Sequence, residues 1–558
     1  MAQGGPLDSP RARRLLVALW IALVVCLLPV REVIPPDEPR FAHQAQNMLD
    51  LGDWVVPRIG DVPFPDKPPV LFWAIDLASL PAGRVTAATA RVPSAIGALV
   101  VLLLTARLGR RLWGSAAVGA GGALVLLTGV EFFQKAQWVS CDMTMTAFAL
   151  VALTLWREAA FEEDAGGRPG PRIRVLAGWL AAAAGVLTKG PPALLWPAFW
   201  LAGEAAARRR PRPLARLLRP DGPLAFALLV GWWLVAAGRR AGGGYSWNAL
   251  FTQTVTRYLH AWNSVKPWYF YLYQTPSDLL PWTFLLPAAI ACAVLAWRRR
   301  EDSPALLASR AAGIFLVLGY LFFSGSTGKR GVYVLPAFPI LALLAAAAFL
   351  EAGRPGGLLR RGWRDVPLGL MAALGLAIAA APPLAAATGA LEGPGRLAGA
   401  VGPLEAVALS VSGLALAAGS LAALLASRRA RPQAALLAAA LGAAAALVIA
   451  GAAGGAAWSR WQGGRVFGAR VAAAVPAGER IAIERDKFEL ILFYSGRRGT
   501  ECETDEALLA EVESGRARYA ILRSGTRERL GTKAPLGSME ELFAGRLGGS
   551  SYVALGPP

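Results

Sequence analysis

The sequence predicts a mainly α, polytopic membrane protein with about thirteen transmembrane helices, juxtamembrane helices on the outer face and a small α/β domain at the C-terminal end. Three observations lead there. Of 558 residues, 55% are hydrophobic and 19 are Trp, a composition too apolar for one soluble core. Apolar runs of the length a bilayer requires, roughly 17–25 residues, recur as far as residue 452. The arginine clusters between them fall on one side when the runs are threaded through a membrane.

The runs lie at 14–31, 85–106, 114–131, 139–156, 173–189, 190–207, 222–238, 280–297, 309–325, 332–350, 366–388, 401–426 and 433–452. With the N-terminal RARR inside, the loops RLGRR, REAAFEEDAGGRPGPRIR, RRRPRPLARLLRP, WRRRED, RPGGLLRRGWR and SRRARP all face inward, as the positive-inside rule requires. The net charge of +20 is then a matter of topology, and nucleic-acid binding, which that charge would suggest in a soluble chain, is set aside. The first run has the basic and apolar regions of a signal peptide, but LLPVREVIPP offers no small-x-small cleavage site, so it reads as a retained anchor. Residues 366–452, rich in Ala, Gly and Leu, read as closely packed scaffold helices. Residues 453–558 change character: the short apolar runs RIAIE, ELILFY and RYAILR, with the helical pattern TDEALLAEVESG among them, read as a small exported α/β domain. Four cysteines show no metal-type spacing, and Cys502 stands alone in that domain.

The chemistry concentrates in PPDEPRFAHQAQNMLDLGDWVVPRIGDVPFPDKPPVLFW, residues 35–73, just after the first run. Phe41, Ala45, Met48 and Leu49 form the stripe of an amphipathic helix lying on the outer membrane surface. Asp37 could be no more than its cap, with Pro39 tolerated in the first turn. Against that stands the crowding of Asp37, Glu38 and Arg40, followed by Asp66 and Lys67 between Pro63, Pro65, Pro68 and Pro69, which restrict the backbone and hold the lysine in place. Of the seven lysines, Lys67, Lys135, Lys189, Lys266 and Lys329 lie in the membrane region, all on the expected outer side, whereas the inner loops use arginine. A lysine is a compact point charge that suits a phosphate. Asp142, in the apolar VSCDMTMTAFAL, is an acid that a membrane keeps only when it is paired or functional.

These residues carry a resemblance. DEPRFAHQAQNMLDLGDWVVPRIGDVPFPDKPPVLFW resembles the first outer loop of the aminoarabinose transferase and protein mannosyltransferase superfamily, membrane glycosyltransferases of the GT-C fold. VSCDMTMTAF, LTKGPPALLWP, KPWYFYLYQTPSDLLPWTFLLP and GKRGVYVLPAFPILALLAA continue the match in order, over roughly residues 15 to 350, with the C-terminal domain following in outline. The resemblance implies a GT-C catalytic membrane domain at 1–365 that transfers a single sugar from a polyprenyl-phosphate donor to a lipid A-like glycolipid, a glycan or a protein. It further implies a monomer in a bacterial inner membrane, with active site and C-terminal domain on the periplasmic side. A lipid-linked-sugar transporter is the alternative, but it would place ionisable groups near the midplane and show repeated halves, which this chain does not.

Roles follow from the resemblance together with the demands of the reaction. Asp37 is the first choice for the base that takes the acceptor's proton and Asp142 the second, with Glu38 supporting them as part of the catalytic set. Lys67, Arg40, Lys189, Lys266 and Tyr333 are candidates for the donor phosphate. Asp66, Arg257, His260, Trp268, Tyr269, Lys329 and Arg330 are candidates for substrate contacts. No metal or other cofactor is expected to be required: Asp66 stands where relatives often carry Glu, and His43 and His260 are the only histidines. The aromatic-rich loop 239–280 is expected to be mobile until donor binds, and its rings to form a membrane-interface girdle or to line a prenyl or sugar cleft.

Overall fold

In a bilayer a segment must satisfy its own backbone N–H and C=O groups, so long apolar runs fold as helices. The computed structural model describes residues 5–162, 171–261, 263–388, 402–531 and 534–558. Each of the expected runs falls on a helix, from Pro10–Leu23 to Pro432–Gln462. Among the described residues, seven helices are long and apolar enough to cross a membrane unaided, and up to nine spans result when two bent pairs are each taken as one. Ala116–Leu127 and Val130–Ala136 meet at 73°, and Phe270–Asp278 and Trp282–Arg298 at 118°. Pro10–Leu23 and Pro192–Arg208 are shorter, while Cys141–Phe161 and Arg172–Lys189 carry charged residues near their ends.

The helix Phe338–Glu351 is buried on every side from Phe338 to Leu350 and forms the centre of the bundle. Gly362–Ala387, Pro403–Arg428 and Pro432–Gln462 pack side by side, as the small-residue composition of that region predicts. A Cβ at Gly419 would stand 2.5 Å from the Cα of Gly442, so these backbones approach closely only because both positions lack a side chain.

At the bundle end that carries Lys67, Lys135 and Lys189, the chain lays down the helix Asp37–Leu51, a small hairpin (Arg58–Ile59 with Val62–Pro63) and the helix Val70–Ser79. Phe41, Ala45 and Met48 are buried against Leu71, Phe72 and Ile75, so the stripe expected to rest on the membrane packs on the protein instead. Asp37 does not cap this helix. The cap position is Pro36, with no side-chain cap bond, and Asp37 is the first helical residue. Within the loop 239–280 the described residues form Gly243–Trp247, a π-helical turn Asn248–Thr256 and Arg257–Leu259; Trp262, one of the expected ring residues, lies outside the described residues.

The C-terminal domain holds a five-stranded sheet. Its spatial order is Arg498–Cys502, Arg480–Glu484, Tyr519–Arg523, Ser550–Gly556, Glu540–Leu547, parallel among the first three and antiparallel thereafter. RIAIE and RYAILR are strands and the polar pattern is the helix Asp505–Glu513. ELILFY is instead the helix Phe488–Ser495, with Phe488, Leu490, Ile491 and Leu492 buried. A short continuous apolar run suits either a strand or a helix buried on most sides, and this one is wedged between the rest of the domain and Asp37–Leu51.

Candidate active site

Glu38 ties the segment after the first helix to the bundle. Its side chain is 0% exposed. It accepts hydrogen bonds from Arg31 and Arg91 and from the backbone N–H groups of Ile34 at 2.7 Å and Val139 at 2.8 Å. Arg91 is itself fully buried and also donates to the carbonyls of Leu28, Arg31 and Glu32. Burial alone would raise the Glu38 pKa, but Arg91 and then Arg31 outweigh it and bring the value down to about 2. The expectation that Glu38 belongs with the catalytic acids is corrected here: all its accepting capacity is spent on the scaffold, and it supports the site from behind. Asp37 points the other way and is 32% exposed, with Arg330 Nη1 3.6 Å from one oxygen and Arg40 Nη1 3.9 Å from the other.

The second half of the site lies at helix ends. Lys189 closes Arg172–Lys189, and Gly190, at φ 101° and ψ −160°, turns the chain into Pro192–Arg208 through a region open to glycine alone. Lys189 Nζ donates to Asp142 at the first turn of Cys141–Phe161 and lies 5.0 Å from the Tyr333 ring centre. Asp142 therefore pairs with Lys189, not with Lys67 or Arg40. Lys67 donates to Asp66 at 2.9 Å, and Arg257 stands 3.6 Å from the same oxygen. Burial pushes the Asp66 pKa up, but Lys67, then Arg257 and Arg40, hold it below the usual carboxylate range.

Lys67, Lys189, Arg257 and Tyr333 share the wall of one cavity of about 400 Å³ with Leu195, Leu259, Phe322 and Phe323. Three cations and a phenol thus meet an apolar lining. Such a space suits an anionic headgroup joined to a hydrocarbon chain.

Other candidates lie elsewhere. Lys266, His260, Trp268 and Tyr269 are exposed, outside the wall of this cavity. Lys329 is buried and its ammonium donates to the carbonyls of Ser326 and Lys266, so it fastens two loops together, outside the wall of this cavity. His43 is buried too, and that burial lowers its pKa to about 4. Sequence reasoning missed Arg31, Arg91 and Glu489. Arg91 had a signal, an ionisable residue inside an apolar run. Glu489, which accepts from Arg40 Nε at 3.0 Å, had none.

A family model for dolichyl-phosphate-mannose-protein mannosyltransferases matches residues 13–203. The chain is 29% identical over 377 residues to the undecaprenyl phosphate-alpha-4-amino-4-deoxy-L-arabinose arabinosyl transferase of Erwinia tasmaniensis, a match covering 66% of this chain and 65% of the relative. It is 31% identical over 375 residues to arabinosyl transferase 2 of Pseudomonas fluorescens, which has the same name otherwise, with 64% of each covered. The chain thus spans slightly less than two thirds of these curated relatives. ArnT from Cupriavidus metallidurans, solved with bound undecaprenyl phosphate, superimposes with a TM-score of 0.79 at 22% identity over 97% of both chains. The oligosaccharyltransferase AglB from Archaeoglobus fulgidus superimposes at 0.51 and 11% identity, over 92% of this chain and 69% of that one. The chain is a polytopic membrane protein with the GT-C fold of ArnT, and its residues 13–203 are similar to the mannosyltransferase family.

Proposed function

We propose that this protein is a membrane glycosyltransferase that moves one sugar from a polyprenyl-phosphate carrier to a hydroxyl of a lipid A-like acceptor on the outer face of a bacterial inner membrane. The observation that carries the reading is the cavity in which Lys67, Lys189 and Arg257 meet an apolar lining, on the same face as the exposed carboxylate of Asp37. The relatives named for undecaprenyl phosphate donors support the donor class.

The step is a displacement at the anomeric carbon. The acceptor oxygen forms the new bond while its proton passes to Asp37, and the bond from the anomeric carbon to the phosphate oxygen breaks with its electron pair leaving on the polyprenyl phosphate. Negative charge on that phosphate grows as the bond breaks, so fixed cations bind the transition state more strongly than the donor. Lys67, Arg257 and Lys189 supply that charge together with Arg40, which neighbours Asp66 and with Arg330 also flanks the base, and Asp142 holds Lys189 in place. In this reading these side chains, not a metal ion, meet the phosphate charge.

The test is transfer by the purified protein in liposomes that hold an undecaprenyl-phosphate-linked sugar and lipid A, followed by mass spectrometry. The expected product is an acceptor carrying one added sugar, formed equally in the presence of a chelator. A donor that crosses the bilayer without any transfer would overturn the reading in favour of transport.

A further inference from the structure

The C-terminal domain grips the segment that delivers Asp37. Val33 N–H donates to the Tyr494 hydroxyl at 3.1 Å, and Glu32 accepts from the N–H groups of Gly464 and Arg465, at 2.8 and 3.1 Å, at the start of the helix Gly464–Ala474. Four residues after Glu32 and Val33 have been fixed in this way, the chain enters the helix that begins with Asp37.

A third contact reaches the chemistry itself. Arg40 Nε donates to Glu489 Oε1 at 3.0 Å, and Glu489 sits near the start of the helix Phe488–Ser495, on the same element as Tyr494. Both side chains are largely covered, at 25% and 15% exposure, so water competes weakly for this bond. The Phe64 ring, 5.8 Å from the Arg40 guanidinium carbon, borders the cation as well. The Nη1 edge is left turned toward Asp37 at 3.9 Å, short of a direct hydrogen bond. An arginine released from Glu489 would have Asp37 as its nearest carboxylate and would collapse onto it, capturing the base and leaving the phosphate.

We propose that Glu489 is a positioning residue of the active site, through which the C-terminal domain holds Arg40 by its Nε edge so that the remaining guanidinium edge serves the donor phosphate without quenching Asp37. This rests on the transferase reading above and adds that the domain completes the site. The domain is then required for donor binding even though no residue of it lines the phosphate cavity.

A double-mutant cycle on the full chain in liposomes tests this, with binding of undecaprenyl phosphate and sugar transfer as separate readouts. Glu489→Ala is expected to weaken undecaprenyl phosphate binding by roughly 10- to 100-fold, the worth of a charge-assisted hydrogen bond. In an Arg40→Ala background the same change should add nothing, because its effect runs through Arg40. Glu489→Gln still offers an oxygen to Arg40 Nε; it should recover most of the loss and keeps the cycle measurable if the alanine variant folds poorly. Losses that multiply across the cycle, an Arg40→Ala protein that binds like wild type, or an unchanged Glu489→Ala protein would each overturn the inference. Coupling seen in binding while no variant transfers sugar would retain it and overturn the transferase reading instead.

Discussion

Asp37 is a third exposed while Glu38 is fully covered, because consecutive residues on a helix point about 100° apart and only one of the two can face the bundle. Asp37 makes no capping bond, so Asp37→Asn tests the proposed base role without removing a cap. That variant should bind undecaprenyl phosphate normally and lose turnover by roughly 10²–10⁴. Lys67→Met should weaken binding and slow the chemical step together, since phosphate charge rises at the transition state. An Asp37→Asn protein with full turnover would pass the base role to Asp142. Glu38 gives a prediction of another kind. Its pKa lies at about 2 in the folded protein against an ordinary 4.5, so its contribution to stability is complete above pH 4.5 and is lost as pH falls toward 2. The full loss is about 3 kcal/mol. The thermal midpoint in detergent should fall across that window, and the fall should be smaller in Glu38→Gln, which starts from a lower midpoint because Arg31 and Arg91 are left without their shared counter-charge. Breaking a buried pair in this way costs about 3–5 kcal/mol.

At the scale of elements, the break between Arg172–Lys189 and Pro192–Arg208 decides where Lys189 points. Gly190, at φ 101°, has a backbone conformation that a Cβ strains by roughly 1–3 kcal/mol. Gly190→Ala should therefore shift the helix end, loosen the pairing of Lys189 with Asp142 and weaken binding of undecaprenyl phosphate. Weakened binding with the helix content unchanged by circular dichroism is the expected result; undiminished binding would separate Lys189 from the donor site. The TKGP stretch announced this break in the sequence, because Pro191 disfavours the helical conformation at Gly190 and glycine is free to leave it. ELILFY announced nothing comparable. Its side chains are covered from several directions at once, which erases the periodicity that tells helix from strand.

Across the whole molecule, charge is sorted by end. Lys67, Asp142 and Lys189 gather at one end of the bundle, while the other is laced by Arg107 with Glu158 and by Arg157 and Arg208 with Glu204. Replacing Arg208, Arg209 and Arg210 together by Gln should disturb membrane orientation, read by labelling of single introduced cysteines, yet leave turnover per correctly inserted molecule unchanged. Glu204 keeps Arg157 and the Trp200 indole as partners, so the fold survives the change. Loss of specific activity in inserted protein would place chemistry at the wrong end. The helices could be read from the chain alone, because hydrocarbon admits only self-satisfied helices. The candidate residues had signals of their own: Asp142 and Lys189 are ionisable groups at the borders of apolar runs, where charge is costly, and Lys67 is a lysine held between prolines. What the sequence could not decide was which charge meets which. Glu38 became a buried anchor and Asp37 an open carboxylate by a difference of one helical position. Lys329 and Lys189 look alike in the chain, yet one fastens loop carbonyls and the other faces the cavity. Arg40 received its partner from Glu489, 449 residues away in sequence. Ion pairing depends on separations of a few ångströms set by packing, and no local pattern encodes them; only the docking of the C-terminal domain onto Asp37–Leu51 brought that pair together.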